Sequence, residues 1–140
     1  MSTKFQKLIL AGIIGTAIMT VVMMVAPMIG MPKMSPPEML SGMLGMQVFV
    51  GWVMHFMIGI MFAIAYTYLY VFKHKISNVW LRGAVFGIIA FIFAQIMMAL
   101  MGMVMPMPAM EGSMVLTIIG SLMGHIIFGM VVSKIIGKNF

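Results

Sequence analysis

The stretch QVFVGWVMHFMIGIMFAIAYTYLYVF, from Gln47 to Phe72, decides the fold: it contains no Asp, Glu, Lys or Arg, and its one imidazole, His55, lies between Gly51 and Gly59. A run this long and apolar can cross a bilayer as a helix, because there every backbone polar group must be bonded within the segment itself. Three further runs have the same character, Leu8 to Met28, Gly83 to Met105 and Ser113 to Ile136, and none of them contains Asp, Glu or Arg. Of the 140 residues 64% are hydrophobic and only 7% are charged, far from the balance of a soluble domain. The expected fold is all-α: an integral membrane bundle of four transmembrane helices, one membrane domain over residues 1–140.

The charges give an orientation. Lys4, Lys7, Lys73, Lys75, Arg82, Lys134 and Lys138 fall at the N-terminus, the middle loop and the C-terminus, and only Lys33 lies on the other side. By the excess of Lys and Arg on cytoplasmic loops, both termini are expected inside. The net charge of +6 then reads as topology and contact with anionic lipid rather than as nucleic-acid binding. Lys4 and Lys7 before an apolar run imitate a signal peptide, but the run is too long and lacks a small-residue cleavage site, so it is expected to be retained. The chain has no cysteine, which excludes disulfides, thiolate metal sites and cysteine nucleophiles.

His55 and His125 fix an internal comparison at an offset of 70 residues. Every fourth residue of the second span reads Gln47, Gly51, His55, Gly59, Ala63, and of the fourth Thr117, Ser121, His125, Gly129, Ser133. At an offset of 71, Gly12, Thr16, Thr20 and Met24 face Gly83, Gly87, Phe91 and Gln95. Two parallel-repeat helical hairpins, residues 8–73 and 79–138, are therefore expected about a pseudo-twofold axis along the membrane normal. Residues spaced by four keep to one helix face over a few turns, and small side chains there let backbones approach. The glycine stripes and the histidines are expected to face inward.

Between the first two spans, Ser35, Pro36, Pro37 and Glu38 read as a capping box that opens a short outer interfacial helix from Pro36 to about Leu44. Tyr66, Tyr68, Tyr70 and Trp80 read as an aromatic belt at the inner interface. Thr16, Thr20 and Thr117 are expected to bond carbonyls of their own helices, and Gln95 to bond across the bundle. His74, between Lys73 and Lys75, reads as a solvated loop residue.

An imidazole within a span marks a functional site by default. Two level histidines from facing helices can supply both axial ligands of a haem b, with Gly51, Gly59, Ser121 and Gly129 one turn away leaving room for the macrocycle. Equally, His can bond helices together without any cofactor, or hold a metal ion or a proton. Methionine makes up 23 of the residues, and most lie in the outer half. Thioether sulfur selects Cu(I), so Met101, Met103, Met105 and Met107, with His55 and His125, form a second candidate site. Against this stands the use of Met as adaptable apolar filler. Glu38 and Glu111 are the only carboxylates, both at the outer face, and no G-x-S-x-G elbow or phosphate loop occurs, so no enzyme is expected.

The run from Gly12 to Thr16 with Met19 and Thr20, the run from Gly51 to Phe56 with Gly59 and Tyr66, the Arg82–Gly83 start of the third span, and Gly124, His125 and Gly129 resemble a family of small bacterial four-helix membrane proteins known only as a domain of unknown function. The resemblance spans almost the whole chain. It implies four spans in a bacterial inner membrane and adds no activity.

The leading expectation is a non-enzymatic membrane protein with a ligand site at the histidine pair, acting as an accessory subunit of a larger membrane complex. Its partners would be the lipid bilayer and other membrane subunits or copies of itself. A haem electron-transfer protein and a copper or small-solute transporter are the alternatives.

Overall fold

The computed structural model describes residues 2–69, 75–107 and 112–137, and all regular structure among them is helical. Five helices follow one another: α1 (Ser2–Val25), α2 (Pro36–Leu44), α3 (Val48–Tyr68), α4 (Val79–Gly102) and α5 (Met114–Ile136). All but α2 are long and apolar enough to cross a membrane. Tyr70, Lys73, His74, Pro108, Met110, Glu111 and Lys138 lie outside the described residues.

The helix boundaries are set by local chemistry more than by hydropathy. α1 and α4 begin several residues before their apolar runs, because Lys4, Lys7 and Arg82 are good helix formers that carry the coil outward past the hydrocarbon. After α1 the chain tightens into a 3₁₀ turn over Ala26–Ile29 and is released at Gly30, whose φ of 86° favours glycine. α4 is capped by the Asn78 side chain, which accepts from the backbone N–H groups of Trp80 (2.9 Å) and Leu81 (3.3 Å).

α2 occupies the expected range, but the capping box does not form. Ser35 has an extended N-cap backbone and makes no side-chain cap bond. With Pro36 and Pro37 filling the first two helical positions, one of the donors a cap would serve is missing, and the Glu38 carboxylate lies 3.6 Å from the Lys33 ammonium instead of reaching back.

α1 is the central helix. It packs between α3 and α5; α4 lies along α5, and α2 lies on the N-terminal end of α3. The side between α3 and α4 is closed by rings: Phe62 meets Phe93 edge-on at 5.8 Å, and Tyr66 meets Phe86 at 5.0 Å. Glycine sets the helix spacing. A Cβ on Gly12 would stand 2.5 Å from the Ile60 Cα, and a Cβ on Gly83 would stand 2.5 Å from the Met130 Cα. These are the same contact at offsets of 71 and 70 residues, so the two hairpins dock their own helices through equivalent glycines.

The end of the bundle that carries Lys7 and Lys134 holds a buried polar cluster. Ser133 Oγ donates to the Val79 carbonyl (2.9 Å) and so is left to accept from the Tyr66 hydroxyl (2.8 Å) and from Arg82 Nε (3.4 Å). Arg82 also donates through Nη2 to the carbonyl of Gly137 at the end of α5 (3.5 Å). Tyr66 is therefore not part of an interfacial belt: it is 2% exposed and turned inward toward Ser133. Tyr68 and Trp80 are exposed, as a belt requires, and Lys134 Nζ sits 5.2 Å from the Trp80 ring.

Candidate functional site

His55 comes from the middle of α3 on the stripe Gly51, His55, Gly59, Ala63, and all four are buried. Its Nε2 lies 3.1 Å from Oγ1 of Thr20 on α1. The Thr20 hydroxyl has one proton, and it is donated to the Thr16 carbonyl at 2.7 Å. The contact with His55 is thus one in which the imidazole Nε2–H donates, which leaves Nδ1 with a free lone pair. His125 on α5 is arranged the other way round. Its Nδ1–H donates to the Ser121 carbonyl one turn back, at 2.8 Å, and Nε2 keeps the lone pair.

The two histidines stand on α3 and α5, both of which pack against α1. Each is also held by the helix paired with it in its own hairpin. Thr20 holds His55, and at the equivalent position of α4 Phe91 packs edge-on against His125 at 5.8 Å. Thr20 was expected only to bond its own helix. Its second bond, to a residue 35 positions away, carries no local sequence signal beyond the alignment of Thr20 with Phe91.

The small residues flanking the histidines are taken up by helix contact. Gly51 abuts the Pro37 carbonyl and Ser41 of α2, Gly59 abuts Thr16 Oγ1, and Gly129 abuts the backbone of Gly83 and Gly87. Only Ser121 touches the site, through its carbonyl. The space that a haem macrocycle would need at these glycines is filled by neighbouring helices. Thr16 Oγ1, pressed against Gly59, is the buried side-chain polar atom without a hydrogen-bond partner among the described residues.

The family described as a family of unknown function, DUF6789, matches residues 3–138. The chain belongs to that family. No curated protein and no solved structure matches it.

In this DUF6789 protein Met101, Met103 and Met107 do not join the histidines. Met101 follows Phe91, the neighbour of His125, by ten residues of α4, or about 15 Å along the axis. Met103 is 81% exposed beyond the helix end, and Met107 folds back over Gly102. The six residues of the expected metal site are therefore divided between the middle of the bundle and the C-terminal end of α4. Gln95 makes no side-chain hydrogen bond among the described residues, so it does not bridge the bundle as expected.

Proposed function

We propose that this chain is a non-enzymatic membrane protein that holds one small cation, a proton or a metal ion, between His55 and His125. Its membrane would be a bacterial inner membrane, with both termini cytoplasmic. The observation that carries this reading is the complementary bonding of the two imidazoles. Each has one nitrogen tied as a donor, to Thr20 or to Ser121, so each ring is fixed with one electron pair uncommitted. Neutral imidazoles so arranged suit a small electron-pair acceptor. Bis-imidazole haem ligation would use the same lone pairs, but the packing at Gly51, Gly59 and Gly129 disfavours a macrocycle.

Nitrogen NMR of histidine-labelled protein in lipid bilayers tests the reading, with acid, Zn(II) or Cu(I) as the added cation. The expected result is that the two unprotonated nitrogens respond together to at least one of these cations, and that His55→Gln abolishes the response of His125. Independent responses, or none, would reject a shared site. A Soret band in protein from native membranes, lost in His55→Gln and His125→Gln, would replace it with haem.

The accessory role has its own support. Only 17% of the apolar window of α4 is buried, against 44% for α1, and Gln95 on α4 has an amide without a partner in the described chain. In lipid such a group finds its bond on another helix. Co-purification of a second membrane subunit in mild detergent is the expected result, and a lone monomer would count against it.

A further inference from the structure

A second site lies on the outer side of Thr20. A pocket of about 150 Å³ opens between α1, the segment before α2, and α3, and its lining includes Met23, Met24, Met34, Glu38 and Trp52. That is room for an ion and a few waters at about 30 Å³ each. We propose that this pocket binds a soft monovalent cation of the Cu(I) class through thioether sulfur.

The fold brings two of these methionines to one wall of the pocket. Gly120 and Gly124, one turn apart on α5, present no side chains toward α1. Met34 Sδ lies 3.1 Å from the place a Cβ on Gly120 would take, and Met23 Sδ lies 3.4 Å from the place of one on Gly124. Met23 is 4% exposed, and Met34 packs against the core. Two methionines from separate segments thus pack on glycines one turn apart and also line one cavity. Met107 is likewise seated on Gly102, but only Met23 and Met34 combine such a seat with a shared cavity that also holds a carboxylate.

The charge also suits a monovalent ion. Glu38 supplies the one carboxylate, held by Lys33 in a pair that is 71% and 53% exposed and therefore easily opened. If Lys33 swings to solvent, one positive charge in the pocket is balanced. Thioethers carry no charge and repay little of the cost of dehydrating a divalent ion, while they match the softness of Cu(I). The indole of Trp52 adds an aromatic face to the wall. This site does not depend on the histidine reading, although Thr20 borders both.

The pocket carries its own reporter. The chain has two tryptophans, so Trp80→Phe leaves Trp52 as the only indole. In purified full-length Trp80→Phe protein, titration with Ag(I), or with Cu(I) under reducing conditions, is expected to quench Trp52 with saturation near one ion per chain. Adding Met23→Leu and Met34→Leu together is expected to weaken binding by about tenfold or more, with Met34→Leu alone giving part of that loss. Leucine conserves volume, and Met34 lies outside the helices, so the single variant keeps the test open if the double variant misfolds. Met103→Leu with Met107→Leu is expected to leave the affinity unchanged. Absence of quenching by either ion would overturn the proposal, as would full affinity in the Met23 and Met34 variants. Loss in His55→Gln alone would overturn it too, while leaving the histidine site standing.

Discussion

Ser133 shows how much can depend on one hydroxyl in a bundle with few polar groups. It gives its proton to Val79 and takes those of Tyr66 and Arg82, so its removal strands two buried donors at once. Ser133→Ala is expected to destabilise the protein by about 1–3 kcal/mol, since a buried group left unbonded costs its full desolvation. Tyr66→Phe removes a donor together with its need for an acceptor and is expected to cost less. Unfolding in mixed detergent micelles ranks the two, and the reverse order would refute this account of the cluster. Little of the cluster was legible in the sequence. A tyrosine near the end of a span reads as an interfacial anchor, and an arginine before a span reads as a topology signal. Only the position of α5 across the bundle gives both an inward partner.

At the scale of the helix, glycine separates spacing from mere absence of bulk. Gly87 lies against the carbonyl of His125 and 2.6 Å, measured from its would-be Cβ, from the Ile126 Cα, so neither wall can yield without parting α4 from α5. Gly102, on the same helix, faces only the end of the flexible Met107 side chain. Gly87→Ala is therefore expected to lower the melting temperature sharply or prevent recovery of a monodisperse protein, and Gly102→Ala to be close to neutral. Thermal melts followed by circular dichroism compare them, and equal effects would show that backbone approach is not what Gly87 provides. This level was the most legible. Apolar length gave the spans, and the four-residue spacing through His55 gave its buried face, because both are properties of a single helix. The use of that face was not. Gly51 and Gly59 read equally well as space for a ligand and as space for a neighbour, and the choice was made by α1 and α2, which no local pattern places.

For the whole molecule, the described positive charges collect at one end of the bundle and the Lys33–Glu38 pair stands at the other. The absence of cysteine makes the orientation directly measurable. Lys33→Cys is expected to react with a membrane-impermeant maleimide added to intact cells, and Lys75→Cys only after permeabilisation; the opposite pattern would invert the proposed topology. Methionine was informative at this scale in one respect only. Its positions in the sequence signalled enrichment at one end of the bundle, but the packing of two sulfurs on Gly120 and Gly124 depends on α5 lying beside α1.

That contact between the first and last helices also orders the making of the protein. Domains assemble largely as the chain emerges, N-terminal parts first. α1 and α3 can pair while the remainder is still being synthesised, which brings Thr20 to His55. His125 joins them only after α5 has been made and has settled on α1. A chain cut before α5 would thus carry the bond between Thr20 and His55 and lack His125, so that the two imidazoles are brought into one bundle only by the helix that also closes the packing on α1.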